Sequence, residues 1–435
     1  MQLSPSQQIA FDKFSTGKNI FISGPGGHGK TFLINEFQKN TNVSLCAMTG
    51  CAAAVLHKNA RTIHSWSGIK LARGTRGHII SNIPENAIRN WESVKILIID
   101  EVSMLSAEIF ELLNEIAQTI RENDLLFGGI QLVFSGDFYQ LPPFNEQPTN
   151  KTQFCFESPL WSKVFSPDCH IELKENFRQT DPIFTRLLNN LRVGKLTKQD
   201  VEIIENRMKC CPEQSFAKIY PRKKSVEDLN QKIYQELKTQ EIVYKVEKYE
   251  TDKYLYQYNV EIDRDDVEYC DKLPKSKKEE EYENLIKENN VSRSVSVKIG
   301  SKVMCLANFP ESNIWNGSQG IVTGFNNNSL PVVKFSNEQE LVIKYSCYQS
   351  EKHPIFCVRQ IPLCLSWALT VHKIQGTTLD AAEIDIGSEI FAPGQSYVAV
   401  SRIRSLDGLF IQNFSKKNIR VHKKVKQFYK QMFKD

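Results

Sequence analysis

Gly24-Pro25-Gly26-Gly27-His28-Gly29-Lys30-Thr31 fits the pattern G-x-x-x-x-G-K-[ST]. Its neighbours decide how it is read. Asn19-Ile20-Phe21-Ile22-Ser23 before it reads as a buried strand, and Leu33 to Phe37 after it continues as a helix. A strand, a glycine-rich turn and a helix are the context this motif requires. The glycines let backbone N–H groups face phosphates at the positive end of the helix. All eight residues from Gly24 to Thr31 are therefore expected to line a nucleotide, ATP. Lys30 should reach the β- and γ-phosphates, and Thr31 should hold Mg²⁺. A chance glycine-rich turn would not bring strand, loop, Lys-Thr pair and helix together.

Further strands lie outward from this loop. Lys95-Ile96-Leu97-Ile98-Ile99 and Gln131-Leu132-Val133-Phe134 are apolar runs separated by helical stretches, the texture of a parallel sheet covered on both faces. Ser103 to Glu122 carries Ile109, Leu112, Leu113, Ile116 and Ile120 at helical spacing, which predicts an amphipathic helix. Asp100-Glu101 closes the first of these strands. An acidic pair at the carboxyl end of a strand beside a phosphate loop suits a metal ligand, Asp100, and a base for the attacking water, Glu101. Gln140, in Gly136-Asp137-Phe138-Tyr139-Gln140-Leu141-Pro142-Pro143, follows the next strand and could sense the γ-phosphate.

Composition sets broad limits. A chain of 435 residues suits two to four compact units, and 41% hydrophobic with 24% charged residues is ordinary for a globular protein with sizeable cores. The net charge of +5 is compatible with a nucleic-acid groove without requiring one. The eleven cysteines lack zinc-like pairing, so reduced and mostly buried thiols are expected. No leader pattern follows Met1 and no apolar run is long enough to cross a bilayer, which predicts a soluble intracellular protein with no membrane partner.

The second half changes character. Gln240 to Asn290 is rich in Lys, Glu, Asp and Tyr, including Lys275-Ser276-Lys277-Lys278-Glu279-Glu280-Glu281, and reads as a solvated helix or loop rather than core. Val297 to Ile343 has short strands with Gly and Asn turns, which predicts a small β-barrel. The apolar runs Ile361 to Leu369 and Tyr397 to Val400 return to the α/β style, so the barrel is expected as an insertion in a second α/β domain.

Two arginines, Arg178 in Glu175-Asn176-Phe177-Arg178-Gln179 and Arg402 in Tyr397-Val398-Ala399-Val400-Ser401-Arg402, could be fingers that offset charge on a transferred phosphoryl group. Read alone, each is an ordinary surface or salt-bridge arginine. A resemblance promotes them. In order along nearly the whole chain, the segments resemble the Pif-one (petite integration frequency) family of superfamily-one B 5′→3′ DNA helicases. Leu3-Ser4-Pro5-Ser6-Gln7 is similar to the family's Q motif, which implies that Gln7 reads adenine. Ala47 to Ala53, Thr62 to Ile69, Asp100 to Leu105 and Gly136 to Pro143 resemble its next motifs. Glu108 to Ala117 with Phe127-Gly128-Gly129-Ile130-Gln131-Leu132 resembles the signature that separates the family from its RecD and Dda relatives. Phe177-Arg178-Gln179, Trp367 to Asp380 and Tyr397 to Arg402 resemble motifs IV to VI. Departures are His28 for a small residue, Pro25 before two glycines, and Ser6 for an acidic residue.

The resemblance implies an α/β fold of two RecA-like lobes with parallel sheets. Lobe one would span 1–174, with a small wedge insertion at 68–91. Lobe two would span 175–240 and 361–435. Residues 241–360 would hold the charged segment and an SH3-like barrel. Catalysis is assigned to Lys30, Glu101, Gln140, Arg178 and Arg402. Gln7, Gln140, Arg178, Gly376 and Arg402 join the phosphate loop in holding ATP, and Thr31 and Asp100 hold Mg²⁺. Single-stranded DNA would be gripped by Thr49, His64 and Ser65 in lobe one and by Thr370, His372 and Lys373 in lobe two. Trp66 and Phe138 could stack on bases, core packing being an equal reading, and Arg73, Arg76 and His78 could meet phosphate. The implied activity is ATP-driven translocation and duplex unwinding by a monomer acting on single strands and single-strand/duplex junctions. Some family members act on G-quadruplex DNA, in replication, repair, recombination or telomere maintenance. The alternatives are a single-strand-dependent ATPase that strips proteins and a P-loop nucleotide switch.

Overall fold

The computed structural model describes residues 3–39, 43–56, 60–70, 72, 74–143, 153–211, 216–250, 268, 270–289, 291–312, 314, 316–350, 353 and 355–433. Two compact units divide the chain. The first joins Met1–Ile83, Ala87–Leu229 and Trp367–Asp435, and the second joins Asn230–Ser366 with Pro84–Asn86.

The first unit begins with a six-stranded sheet. Its strands are β1 (Ile20–Ser23), β2 (Val43–Ala47), β3 (Arg61–Thr62), β4 (Ile96–Asp100), β5 (Gln131–Gly136) and β6 (His170–Glu172), ordered β3-β2-β4-β5-β1-β6 and paired in parallel throughout. Strand alternation supplies two cores. Ile20, Ile22, Ile98 and Val133 pack beneath α1 (Pro5–Ser15), α2 (Lys30–Phe37) and α3 (Gly50–Leu56). Phe21, Leu97, Ile99, Leu132 and Phe134 face the opposite core. Between β3 and β4 lie α4 (Ile63–Ser67), α5 (Arg76–Ser81) and α6 (Glu85–Ser93), where the wedge was expected. Leu71 and Arg73 of that segment lie outside the described residues.

The predicted amphipathic helix is α7 (Ala107–Ile120), capped by the Ser106 side chain on the Ile109 N–H at 3.2 Å. Its partner is an irregular turn. Phe127, Gly128 and Gly129 all have positive φ, at 48°, 58° and 78°. The Phe127 N–H donates to buried Asn114 Oδ1 at 2.9 Å, and a Cβ on Gly128 would stand 2.7 Å from the Ala117 carbonyl oxygen. Only glycine fits there, and the turn latches α7 to the start of β5.

After α8 (Trp161–Val164), α9 (Pro182–Val193) and α10 (Lys198–Lys209), β7 (Ala217–Tyr220) starts a second parallel sheet, followed by α11 (Lys223–Glu236). The chain then builds the second unit. Its five-stranded antiparallel sheet has the order β14-β13-β12-β11-β17, from β11 (Lys302–Cys305), β12 (Gln319–Phe325), β13 (Pro331–Phe335), β14 (Glu340–Val342) and β17 (Leu363–Leu365). β8 (Glu241–Lys245) pairs with β10 (Ser294–Lys298) and contributes Tyr244, Val295 and Val297 to the same core, completing the expected barrel. β9 (Glu247–Glu250), β15 (Ser346–Gln349) and β16 (Phe356–Gln360) form a separate three-stranded sheet. The charged stretch is a helix, α12 (Lys275–Glu288), but it is not merely solvated. Tyr282, Leu285 and Ile286 are buried against Phe356 and Val358, while Lys248 and Lys278 pair with Glu279, Glu283 and Glu250 at its flank.

The run Ile361 to Leu369 divides between the two units. Leu363–Leu365 pairs with β11 in the barrel, and β18 (Ala368–Thr370) joins the second parallel sheet, ordered β18-β7-β19-β20 with β19 (Ala382–Ile386) and β20 (Leu409–Phe414). α13 (Gln395–Val400) is wholly buried. The last helix, α14 (Lys423–Met432), crosses back and places Val425, Phe428 and Tyr429 in the first sheet's core. Among the described residues, no helix is long and apolar enough to cross a membrane, and the ten described cysteines form no disulfide, six of them being buried.

Candidate active site

The phosphate loop connects β1 to α2. Gly24, Gly27 and Gly29 have positive φ, and Gly29 in the left-handed region starts the helix without a side-chain cap. Lys30 Nζ donates back to Gly24 O at 2.7 Å and Pro25 O at 3.0 Å, so it is curled over the loop. Desolvation lowers its pKa. The unusual His28 is buried, with Nδ1 3.3 Å from Gly26 O, and burial first, then the Lys30 charge, pushes it down to about 4. A neutral imidazole therefore stands in place of a small residue.

The loop is close-packed from both sides. A Cβ on Gly27 would stand 2.5 Å from Arg178 Cβ, and one on Gly26 would be 3.2 Å from an Arg402 guanidinium nitrogen and 3.7 Å from one of Arg178. Arg402 is 2% exposed, and among the described residues its guanidinium bonds Val398 O and Ser401 Oγ, at 3.1 and 3.0 Å. Arg178 donates to Ser401 O at 3.1 Å. Neither forms an ion pair with a described carboxylate. Burial, and for Arg178 the neighbouring Arg402 charge, lowers both pKa values, Arg178 to about 10. Two desolvated cations pressed on a phosphate loop, with Glu101 near enough to act on both but no ion pair among the described residues, make an anion site.

Asp100 and Glu101 close β4, one strand removed from the loop-bearing β1 by β5. Asp100 is buried with Oδ1 lacking any hydrogen bond, and burial, then the Glu101 charge, raises it to about 6. Glu101 adopts φ 57°, ψ 38°, a left-handed conformation costing roughly 1–2 kcal/mol for a residue with a Cβ. It aims its carboxylate across to Gln375, whose Nε2 donates to Oε2 at 3.2 Å. Among the described residues no group of three His, Cys, Asp or Glu could hold a metal by itself. A bare Asp100 oxygen within electrostatic reach of Lys30 fits a divalent ion that keeps several waters and leans on phosphate oxygens. Gln140 is buried with Oε1 unbonded.

The structure also brings forward residues that the motif reading passed over. Gln375 holds Glu101. The exposed Phe177 ring, 60% accessible, lies 3.2 Å from where a Gly29 Cβ would stand, and its N–H donates to Gly27 O at 2.9 Å. Gln7 sits next to it: its Nε2 contacts Gly29 O at 3.4 Å, while its Oε1 caps the Ser4 N–H at 3.0 Å. Glu175 accepts from Ser4 Oγ at 3.0 Å and from Ser6 Oγ, so an acid from another segment stands beside the position where Ser6 replaces one. Asp137 is the hub of a buried network. Arg192 donates to it twice, at 2.9 and 3.1 Å, and Tyr397 and Tyr429 donate at 3.3 and 3.2 Å. Tyr397 also accepts the Gly26 N–H at 3.0 Å, linking the phosphate loop to this network. Gln375 and Tyr397 lay inside the quoted motifs, but their partners come from distant segments, which spacing does not reveal.

The expected DNA contacts separate into three groups. Thr49 caps α3 through its side chain on the Ala52 N–H at 3.2 Å, while Ser65 and Lys373 are exposed, and His64, Thr370 and His372 are half-buried. Trp66 and Phe138 are corrections: at 5% and 2% exposure they present no ring to a base. Trp66 packs edge-on to Trp91 at 4.7 Å, and Phe138 sits among Phe21, Phe154, Phe156 and Phe428. Arg76 is held by Glu111 at 2.8 Å and by Glu115 rather than waiting for phosphate, whereas His78 is exposed. Gly376 faces α3, its nearest neighbour being the Ala52 Cα at 3.9 Å from a built Cβ, rather than the phosphate loop.

Two parallel sheets, a phosphate loop between a strand and a helix, and Arg178 and Arg402 packed on that loop define a RecA-like two-lobed P-loop NTPase with a wedge segment and an SH3-like barrel. The sequence model of PIF1-like helicases matches residues 2–202. The ATP-dependent DNA helicase PIF1 of Danio rerio is 32% identical across 100% of this chain, which spans 64% of that relative's length. The ATP-dependent DNA helicase Pif1 of Bdellovibrio bacteriovorus is 30% identical over 99% of this chain and 92% of the relative. The crystal structure of Pif1 helicase from Candida albicans superposes with a TM-score of 0.84 at 29% identity, covering 99% of this chain and all of that one. The chain belongs to the PIF1-like helicase family.

Proposed function

We propose that this chain is an ATP-driven DNA helicase that moves 5′→3′ on single-stranded DNA and parts duplexes at single-strand/duplex junctions. The observation that carries the reading is the pair Arg178, half-buried, and Arg402, buried, neither in an ion pair with a described carboxylate and both packed on Gly26. A nucleotide switch needs no such pair, whereas phosphoryl transfer does, because charge builds on the γ-phosphate oxygens in the transition state. In this reading the loop from Gly24 to Thr31 cradles the phosphates, Phe177 covers the base and Gln7 reads its edge. Thr31 and Asp100 would hold Mg²⁺, which would supply electrostatic neutralisation of phosphate charge. Glu101 takes the proton from the water that attacks the γ-phosphorus, and Gln375 keeps its carboxylate oriented. Gln140 senses the γ-phosphate.

ATP then ties the two lobes together because both contact its phosphates, and hydrolysis removes the tie. Thr49, His64, Ser65, Thr370, His372 and Lys373 grip the strand, so that each closure advances one lobe. The test is hydrolysis with and without single-stranded DNA, followed by unwinding of duplexes with a 5′ or a 3′ tail. DNA-stimulated turnover with 5′-tail preference is expected, with Glu101→Gln binding ATP but hydrolysing at least 10²-fold slower. Turnover indifferent to DNA would remove the motor reading, and a 3′-tail preference would reverse the polarity.

A further inference from the structure

The charge of +5 is concentrated in one place. Residues 408–434 hold eight Lys and Arg and no Asp or Glu, so +8 resides there and the remainder of the chain is at −3 by difference. This stretch has two faces. Val425, Phe428 and Tyr429 of α14 are buried in the first sheet's core, with Tyr429 OH 2.6 Å from Ser23 Oγ. Lys423, Lys426 and Lys430 form an exposed stripe at i, i+3, i+7 on the other face, preceded by exposed Lys416, Lys417 and Arg420. Lys424 is neutralised by Glu157 at 2.7 Å. None of the other six forms an ion pair with a described residue, although exposed lysines elsewhere on the chain do, such as Lys18 with Asp168 and Lys223 with Glu227.

The strip leads to an aromatic platform. Arg420 donates to Phe391 O at 3.4 Å. The Phe391 ring is 47% exposed, lies parallel to His372 (centroids 6.3 Å apart, 18° between planes), and has the Arg222 guanidinium 5.6 Å from its centre. An unneutralised cationic strip that runs to an exposed ring beside a half-buried histidine is the chemistry that holds a polyanion carrying flat bases. An anionic membrane would match the charge but not the ring stack, and the apolar side of α14 is already buried.

We propose that the outer face of residues 416–430 is a second nucleic-acid surface that holds backbone phosphates, with Phe391 as a base platform at its inner end. This rests on the reading that the chain acts on DNA, and extends it to residues outside every helicase motif.

The experiment uses the full chain with Lys416, Lys417, Lys423 and Lys426 all changed to Gln. A control carries Gln at Lys198, Lys209, Lys224 and Lys232, which removes the same charge from other exposed positions. Affinity for a fluorescent oligothymidine is measured between about 50 and 200 mM salt. Each lost phosphate contact should flatten the log–log salt slope by about 0.7. The strip variant should therefore lose roughly 2–3 from the slope and at least tenfold in affinity, while the control and DNA-free ATP binding stay near the unmodified protein. Phe391→Ala should weaken binding severalfold without changing the slope. An unchanged slope in the strip variant, or an equal change in the control, overturns the proposal. So does loss of binding to phosphatidylserine vesicles with DNA affinity intact. If the unmodified chain itself fails to bind DNA, the helicase reading falls too. An unmodified chain that binds while the strip variant keeps its slope sinks this inference alone.

Discussion

At the scale of single residues, Asp100 illustrates how burial sets a working pH. Its folded-state pKa of about 6 lies above its ordinary 3.8. Between those values the folded chain binds the extra proton, so this group's contribution to stability declines as pH rises from about 4 to 6, and the full cost persists above. Without Mg²⁺, Asp100→Asn should thus gain stability relative to the unmodified chain as pH rises through that window, on the order of 1–3 kcal/mol, in paired thermal melts. A metal needs the carboxylate, so Mg²⁺ affinity should weaken as pH falls through about 6, and an affinity that stays constant from pH 5 to 8 would contradict the ligand assignment. Gly394 gives a steric counterpart. Its φ is +79°, and a Cβ there would lie 2.4 Å from Tyr139 O and 2.5 Å from Gln140 O. Gly394→Ala should push the backbone away from Gln140 and slow hydrolysis on the order of 10²-fold, with nucleotide binding largely kept. Equal turnover would show that Gln140 does not depend on that approach. Lys30, Glu101 and Gln140 could be proposed from the sequence because each sits in a local pattern, whereas Arg178 and Arg402 needed the family resemblance. Trp66 and Phe138 were not separable from DNA-facing aromatics, because a ring in a motif looks the same whether its neighbours are bases or Phe21 and Trp91.

At the scale of elements, the stretch from Glu108 to Leu132 that carries the family signature is a matter of packing rather than of chemistry. α7 holds its own turn through Asn114, whose buried side chain accepts the Phe127 N–H and donates to Gln118 Oε1 at 2.9 Å. Asn114→Ala leaves a buried N–H without a partner. It should cost roughly 1–3 kcal/mol in chemical denaturation, while the KM for ATP barely moves. A large KM change with unaltered stability would instead make the latch part of the site. The periodicity of α7 was readable because its apolar face repeats at helical spacing. The charged helix α12 was only half readable, because three buried residues among many Lys and Glu give a weak stripe. Its burial is set by Phe356 and Val358, from a strand that composition does not link to it.

At the scale of the whole molecule, the order of folds along the chain was evident, but the second unit reaches past the expected 241–360 at both ends. One reason is that Leu363–Leu365 and Ala368–Thr370 belong to different sheets despite forming one apolar run. The sequence also gave no sign that its last helix belongs to its first sheet. Val425, Phe428 and Tyr429 complete the core around Phe21, Phe138 and Trp161. That closure constrains synthesis. The strands of the first sheet end at Glu172, yet the aromatic plug that seals one of its faces is not made until residue 429. At translation rates of 5–20 residues per second, that face waits roughly 10–50 s for its final piece. Arrested nascent chains ending before Lys423 should therefore show a protease-sensitive first lobe that becomes resistant once α14 clears the ribosome. If lobe one is already resistant at residue 240, α14 is an ornament on a finished domain rather than its closing stone.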